Sequence, residues 1–287
     1  MSFKRLETAE LSGKTAIVRV DFNVPRDDAG NITEDTRIRS ALPTINYLQE
    51  QGAKVVLLSH FGRPKGEPNP DMSLRFIVPA LEKFLSKSVT FMERPSADLI
   101  SGLDQDAIVL VENTRFSSME TAGDPKMAQF LASLGDIFVM DAFSASHRKH
   151  ASSAVIGEYL PSYAGLAMER ELDHLAAALD HPKTPVMAIV GGAKVSTKID
   201  LLENLVTRLD KLAIGGGMAN TFLHAGGADI GNSLCEKDMS DEALNIAVHA
   251  AKNNCQIILP KDCVAVTEID SQTDIKIVPT DDIPDDR

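Results

Sequence analysis

A chain of 287 residues is long enough for two domains, each with its own core, because the buried fraction of a chain rises with its length. The formal net charge of -12 argues against a broad nucleic-acid-binding surface, so any anionic ligand must be held by a local cluster of basic residues. No apolar stretch could cross a bilayer, the N-terminus carries no export signal and the three cysteines form no CxxC pair, which together indicate a cytoplasmic protein without a zinc site.

Short apolar runs alternate with amphipathic stretches in the first half, which predicts a parallel sheet covered by crossover helices. The predicted strands are Thr15–Phe22, Lys54–Ser59, Val89–Met92, Ala107–Val111 and Ile137–Met140. The predicted helices are Arg37–Gln51, Leu74–Ser86 and Pro125–Leu134. Proline at the start of the third helix, and glycine just after the first and the third, are typical of helix ends.

A second α/β series follows a strongly helical stretch and a proline-rich breaker, which we interpret as a linking helix and hinge over residues 168–183. The hinge separates a domain over residues 1–167 from one over residues 184–287. The predicted elements of the second series are strand Val186–Val190, helix Ser196–Leu209, strand Lys211–Ile214, a further helix and strand Gln256–Leu259.

Charged and polar residues follow successive strands of the first series. Because ligands bind outside the carboxyl ends of parallel strands, these side chains are expected to converge on one rim. They are Arg19, Asp21, Asn23, Arg37, His60, Arg63, Arg115, His147, Arg148 and His150. Arginine donates two parallel hydrogen bonds to carboxylate or phosphate, so the pattern indicates a small, multiply anionic hydroxy acid phosphate.

Each of these residues also has a simpler interpretation. A single arginine is more often a solvent-facing or salt-bridged residue than a ligand-binding one. His147 and His150 have a spacing that suits a metal, but no third ligand accompanies them. Recurrence at successive strand ends of an acidic protein favours the shared anion site.

The second series carries different chemistry, in "IVGGAKVSTKID" and "IGGGMANTF". Lys194 and Lys198 are four residues apart and would share one helical face, while the glycines would let a phosphate or an adenine approach the backbone. Neither a GxxxxGK[ST] nor a GxGxxG motif is present, and a Gly-Gly pair alone is often only a packing device.

Taken in order, "RVDFNVP", "TRI", "SHFGRP", "ENTRF", "DAF…SHRKHAS", "GGAKVSTKI" and "IGGGMANTF" resemble the motifs of the phosphoglycerate kinase family. The resemblance covers the whole chain. It implies two doubly wound, Rossmann-like α/β domains with parallel sheets, joined by a hinge helix. The implied glycolytic reaction is reversible phosphoryl transfer between 1,3-bisphosphoglycerate and ADP, giving 3-phosphoglycerate and ATP.

The resemblance also implies roles for individual residues. Asp21 and Asn23 would hold the glycerate portion, and Arg37 would stabilise the moving phosphoryl group. The carboxylate and phosphate region would be held by His60, Arg63, Arg115 and Arg148. The nucleotide would be bound by Gly192, Ala193, Lys194, Lys198 and Gly216, with the two lysines counted as catalytic together with Arg37.

Positioning and charge neutralisation dominate phosphoryl transfer, and a carboxylate acceptor is already ionised at neutral pH, so no catalytic base is expected. Transfer is expected to be in line, on closure of the hinge. Mg²⁺ would arrive with ATP or ADP rather than in a protein cage. The expected partners are these small molecules, with no nucleic acid and no membrane, and the family implies a monomer.

The chain departs from the family pattern at Ser144 and Ala145, where glycine and then threonine or serine are usual, and at Lys149. After "VPTDDIPDDR" the family's "GP-x-G-x-F-E" and "GGGDT" segments do not follow, so the nucleotide domain is predicted to be incomplete and this chain to transfer phosphate poorly or not at all. The alternatives are a non-catalytic, anion-binding remnant of the same fold, and a nicotinamide-dependent dehydrogenase, which the missing GxGxxG disfavours.

Overall fold

The computed structural model describes residues 3–179, 182–268 and 275–286. The chain folds into two compact units, Met1–Leu175 and Ala176–Arg287. The division lies within a helix, Leu166–Leu179, and inside the segment 168–183 that the sequence marks as a link. The domain bounds proposed from the sequence stay a prediction.

The first unit is built on one sheet of parallel strands. Its strands are β1 (Thr15–Arg19), β2 (Lys54–Leu58), β3 (Val89–Met92), β4 (Ile108–Val111), β5 (Ile137–Met140) and β6 (Ser162–Ala164). They lie in the order β3, β4, β2, β1, β5, β6, and every pairing is parallel. The predicted α/β class with a parallel sheet is thereby confirmed.

Helices cover both faces of this sheet. In chain order they are α1 (Thr36–Glu50), α2 (Val78–Leu85), α3 (Ala97–Ser101), α4 (Ser118–Ala122), α5 (Pro125–Ala132), α6 (Phe143–Ser146) and α7 (Leu166–Leu179). The predicted helix over 74–86 begins as a 3₁₀ turn, Leu74–Ile77, and becomes α-helical only at Val78, because proline in the first turn suits a helix start.

Alternation along the central strands divides the core into two layers. In β1, Ala16 and Val18 join one buried cluster, while Ile17 between them joins the cluster on the opposite face. Val55 and Val56 of β2 divide in the same way. Burial on both faces is typical of parallel sheets, and it makes these strands read as continuous apolar runs.

The second unit repeats the architecture on a smaller scale. Its elements are β7 (Met187–Gly191), α8 (Ile199–Val206), β8 (Lys211–Gly215), α9 (Gly217–Ala225), α10 (Ser240–Lys252), β9 (Gln256–Ile258), β10 (Asp262–Ala265) and β11 (Lys276–Pro279). Strands β7, β8 and β9 form a parallel sheet in that order, and β10 pairs with β11 antiparallel. Leu202, Leu212 and Phe222 belong to its core.

The expectation that Lys194 and Lys198 share a helical face is wrong, because α8 begins only at Ile199. The preceding residues form a turn in which the Lys198 amide donates to Val195 at 2.8 Å and the Thr197 hydroxyl donates to Lys194 at 3.1 Å. The Thr197 bond joins a side chain to the backbone, and a bond of this kind competes with helix formation.

Within the part of the chain that the structure describes, no helix has the length and the apolar character that a membrane span requires.

Candidate active site

The carboxyl ends of β4, β2, β1 and β5 lie side by side in the sheet. Asp21 follows β1, His60 follows β2, Arg115 follows β4 and Arg148 follows β5. Parallel pairing therefore brings to one edge four segments that are far apart in sequence, as the strand-end pattern predicted.

Asp21 is held by three donors. Its Oδ2 accepts from Arg37 Nη1 at 2.5 Å and from the Ser144 hydroxyl at 2.6 Å, while Oδ1 accepts from the Asn23 amide at 3.1 Å. Burial acts to raise the pKa of Asp21, but the hydrogen bonds from Ser144 and Asn23 and the charge of Arg37 outweigh it, so the pKa is lowered. Asp21 is therefore a carboxylate at neutral pH.

The loop after β2 is fixed from two sides. Asn23 Oδ1 accepts from the Gly62 amide at 2.9 Å, and Arg115 Nη1 donates to the Gly62 carbonyl at 2.8 Å. Gly62 has a φ of 59°, in the left-handed region that glycine adopts without strain. The segment that carries His60 and Arg63 is thus tied to the loops after β1 and β4.

His60 lies against Arg19, with Arg19 Nη2 2.8 Å from His60 Nδ1. Arg19 was expected at the rim with the other strand-end residues, but it is only 1% exposed and supports the site from below. Burial, together with the positive charges of Arg19 and Arg115, lowers the pKa of His60 to about 3. His60 is therefore neutral at physiological pH.

A cavity of about 260 Å³ opens among Arg63, Arg115, Arg148 and His150. Arg115 Nε is buried and has no hydrogen-bond partner among the described residues. Burial and the neighbouring charge of Arg148 lower the pKa of Arg115. Cationic groups that are desolvated and mutually repelling have a strong preference for an anionic ligand between them.

Two supporting residues, Glu120 and Ser152, were not predicted from the sequence. Glu120 of α4 is completely buried, and it accepts from the Ser152 amide at 3.0 Å and from the Ser152 hydroxyl at 2.6 Å. Ser152 Oγ in turn accepts from Arg19 Nε at 3.0 Å. These contacts join residues more than thirty positions apart. Neither the spacing of "SSMETA" nor that of "KHASS" signals them.

Asn113, the second residue of "ENTRF", is a further residue that was missed. Its Oδ1 accepts from the amides of Phe61 and Arg115 at 3.2 and 3.1 Å, and its Nδ2 donates to the carbonyls of Phe61 and Met72 at 2.8 and 2.9 Å. A buried asparagine that makes all these bonds fixes the loops beside the cationic cavity.

In the second unit the two glycine turns pack backbone against backbone. Gly191 pairs with Gly215 across β7 and β8, and the Met218 amide donates to the Gly192 carbonyl at 3.0 Å. Gly216 has a φ of 67°, and a Cβ on it would lie 2.9 Å from the Gly192 oxygen. The glycines are thus needed for packing, as the simpler interpretation held, while Gly191 and Gly216 are themselves exposed.

The two lysines lie beside these turns. A Cβ on Gly192 would be 3.4 Å from Lys198 Cε, and Lys194 is exposed. Glu236 accepts from the Ser196 amide at 3.0 Å and from its hydroxyl at 2.7 Å, which holds the segment between the lysines. Gly216 also lines a cavity of about 500 Å³ with Leu234, Pro260 and Val264 among its walls.

Among the residues in the described ranges, no three His, Cys, Asp or Glu side chains are grouped as a protein metal cage would require. The groups beside the glycine turns that the sequence singles out are ammonium groups, which repel a cation and attract phosphate oxygens.

The family model described as phosphoglycerate kinase matches residues 6–287. Phosphoglycerate kinase of Caulobacter sp. (strain K31) is 56% identical over 273 residues, which are 94% of this chain and 69% of that protein. The enzyme of Maricaulis maris (strain MCS10) is 51% identical over 286 residues, 98% of this chain and 71% of that protein.

Solved structures agree with the sequence relatives. The structure of phosphoglycerate kinase from Coxiella burnetii has a TM-score of 0.84 at 39% identity, over 99% of this chain and 73% of that one. The enzyme from Pyrococcus horikoshii OT3 has a TM-score of 0.77 at 29% identity, over 96% and 71% of the two chains.

Proposed function

The chain belongs to the phosphoglycerate kinase family, and on that premise we propose which of its residues carry the reaction. The family transfers a phosphoryl group between 1,3-bisphosphoglycerate and ADP, giving 3-phosphoglycerate and ATP. The proposed acid-binding set is Asp21, Asn23, Arg37, His60, Arg63, Arg115 and Arg148. The proposed nucleotide-binding set is Gly192, Ala193, Lys194, Lys198 and Gly216.

The observation that supports the acid-binding set is the cationic cavity, in which Arg63, Arg115 and Arg148 meet and Arg115 Nε is buried without a partner among the described residues. An anion there would relieve the repulsion among the guanidinium groups and would satisfy that nitrogen. Carboxylate and phosphate both match the planar fork of arginine. Hydroxyls of the glycerate portion would meet Asp21 and Asn23.

Arg37 is proposed to stabilise the moving phosphoryl group. Its side chain is exposed, and its Nη1 donates to Oδ2 of Asp21. A charged phosphoryl group can accept hydrogen bonds from its other guanidinium N–H groups. Stabilising charge on the equatorial oxygens is the main contribution that a protein makes to phosphoryl transfer. The acceptor is a carboxylate, so the residues need not remove a proton from it.

Lys194 and Lys198 are proposed to neutralise the nucleotide phosphates. Both follow the turn at Gly191 and Gly192, and Lys198 stands immediately before α8, where the amide groups of a helix N-terminus favour an anion. Their ammonium groups would reduce the repulsion between the donor and the acceptor. They are therefore counted with Arg37 as catalytic. Hinge closure remains a prediction from the sequence.

Mg²⁺ is proposed to enter bound to ATP or ADP. Magnesium commonly keeps water and phosphate oxygens as ligands and takes few from the protein. The donors beside the glycine turns suit the phosphates rather than the cation, so the nucleotide itself would hold the metal and shield its charge. We further propose that the chain acts as a monomer in the cytoplasm.

Titration calorimetry with 3-phosphoglycerate tests the acid site. Arg148→Gln should weaken binding about ten- to hundredfold, because hydrogen bonds to charged groups contribute about 1.5–3 kcal/mol. Arg39→Gln is the matched control, since Arg39 lies on α1 but pairs with Asp35. Equal effects of the two variants would contradict the assignment.

A coupled assay of ATP formation tests transfer itself. Lys198→Met should lower ADP affinity, and any turnover that the parent chain shows, while leaving 3-phosphoglycerate binding unchanged; Lys252→Met at the end of α10 is the control. Turnover above background would exclude the non-catalytic alternative. Binding of 3-phosphoglycerate without turnover would favour that alternative.

A further inference from the structure

The contact between Arg19 and His60 determines which nitrogen of the His60 ring carries the proton. A guanidinium group has only donors, so the nitrogen that it contacts, Nδ1 of His60, must present a lone pair. The ring proton then resides on Nε2. The orientation of the contact, rather than titration alone, therefore selects one tautomer of a buried histidine.

Arg19 is itself held so that it cannot easily turn away. Its Nε donates to Ser152 Oγ at 3.0 Å, its Nη1 donates to the Val20 carbonyl, and Ser152 Oγ donates to Glu120 Oε1 at 2.6 Å. Glu120 also accepts from the Thr114 hydroxyl at 3.3 Å. Arg19, Ser152 and Glu120 are all buried, and breaking a hydrogen bond there would leave a polar group unpaired away from water, at a large cost in free energy.

We propose that Glu120, Ser152 and Arg19 are positioning residues that lock His60 as a neutral donor, with Nε2–H directed at the anionic substrate. This inference deepens the proposed function and rests on it for the identity of the ligand. Nδ1 is taken by Arg19, and Nε2 makes no hydrogen bond among the described residues, which leaves it for a ligand.

The charges that face His60 support a neutral ring. Arg19 comes from β1, Arg115 from the loop after β4 and Arg148 from the loop after β5, and all three oppose a further positive charge, whereas Asp21 favours it. Burial is the largest effect, and the pKa is lowered to about 3. A neutral N–H donor can bind an anion without adding to the repulsion among the guanidinium groups.

Nitrogen-15 NMR of the histidine rings tests the tautomer directly in the ligand-free protein. The chain has 7 histidines, and the signal that disappears in His60→Gln belongs to His60. We expect the Nε2–H pattern to persist from pH 8 to pH 5, with and without 3-phosphoglycerate. An Nδ1–H pattern, or protonation of both nitrogens when the ligand is added, would overturn the proposal.

Two variant pairs separate positioning from mere structural support. Ser152→Ala should raise the KM or Kd for 3-phosphoglycerate about three- to tenfold and leave a mixture of His60 tautomers, with kcat changed less than KM. Ser133→Ala is the control, because that hydroxyl donates to the Phe130 carbonyl, away from His60. An unchanged tautomer in Ser152→Ala would contradict the role of Glu120, Ser152 and Arg19 as positioning residues.

His60→Gln keeps a neutral N–H donor, so it should bind 3-phosphoglycerate more tightly than His60→Leu does. Equal binding by the two variants would contradict the donor role. If the Nε2–H tautomer is found but 3-phosphoglycerate does not bind to the parent chain, Arg19, Ser152 and Glu120 still fix the tautomer of His60, but the proposed function is wrong. The two failures are therefore distinguishable.

Discussion

Ser144 donates a hydrogen bond from its hydroxyl to Oδ2 of Asp21 at 2.6 Å. The same oxygen receives Arg37 at 2.5 Å, so the serine and the arginine share one carboxylate oxygen. The sequence resemblance implies glycine at the position of Ser144, and glycine offers no side-chain donor. The hydroxyl of Ser144 therefore adds a contact at the carboxyl edge of the sheet.

Ser144→Ala should weaken 3-phosphoglycerate binding at acidic pH more than at neutral pH. The Ser144 hydrogen bond helps to lower the pKa of Asp21, so its loss raises that pKa, and Asp21 becomes protonated at a higher pH as the solution is acidified. Calorimetry at several pH values measures the affinity profile. Its acid limb, where affinity falls as the pH falls, should move to higher pH. The whole profile should lie about threefold or more below that of the parent.

Ser146→Ala is the control for this prediction. Ser146 lies on the same short helix, α6, but its hydroxyl donates to the Phe143 carbonyl and does not contact Asp21. Its pH profile should match that of the parent chain. An unshifted acid limb in Ser144→Ala would show that the hydroxyl has no influence on the Asp21 carboxylate.

Strand interiors were predictable from sequence, whereas their ends were less so. The bounds predicted for β3 and β5 are those observed, because each is an apolar run between polar turns. β1 ends at Arg19 rather than Phe22, and beyond its end the Asp21 side chain accepts from the Asn23 amide and from Arg37. β6, "SYA", was not predicted, because three mixed residues carry no periodic signal.

The convergence of the strand-end residues was predictable because parallel strands place their ends at one edge. What lies beneath them was not. Glu120 and Ser152 meet only through the packing of α4 against the segment after β5, and a buried acid has no local pattern that marks it. The position of Arg19 below the rim depends likewise on the tertiary contact with His60.

Gly216→Ala should destabilise the second unit by about 1–3 kcal/mol. The residue has a φ of 67°, which a Cβ strains, and that Cβ would approach the Gly192 carbonyl oxygen to 2.9 Å. Thermal unfolding measures the effect, and ADP affinity should fall with it because both glycine turns shift. Gly215→Ala is the control, since a Cβ there meets nothing within 4 Å. Equal melting temperatures would refute the close packing.

Asp141→Asn should remove a pH dependence of stability. Burial raises the pKa of Asp141 from 3.8 to about 6, although Oδ1 accepts from the amides of Ala167 and Met168. A carboxyl with a raised pKa stabilises the fold below its unfolded pKa, and that contribution disappears as the pH rises through 6. The asparagine is neutral throughout, so it avoids this loss, which is on the order of 3 kcal/mol.

The measurement is the free energy of unfolding by urea at pH 4, 5, 6 and 7. Relative to the parent, Asp141→Asn should gain stability across this range, with most of the gain between pH 4 and 6. Asp106→Asn, an exposed position 76% accessible at its side chain, should show no such trend. A constant difference between Asp141→Asn and the parent would mean that the carboxyl does not titrate in this range.

Lys54→Met should destabilise the first unit by about 2–4 kcal/mol. Lys54 is 3% exposed, and its Nζ donates to the carbonyls of Ile100 and Leu103 at 2.7 Å each, beside the end of α3. Methionine fills a similar volume but leaves those carbonyls without their donor, and an unsatisfied buried acceptor costs about 1–3 kcal/mol. Urea unfolding measures the loss, with Lys126→Met on the exposed face of α5 as the control. Lys54 lies at the amino end of β2, opposite the edge that carries His60. The affinity for 3-phosphoglycerate should therefore stay unchanged at temperatures where the variant is folded. A loss of affinity equal to that of Arg148→Gln would contradict this separation of stability from binding.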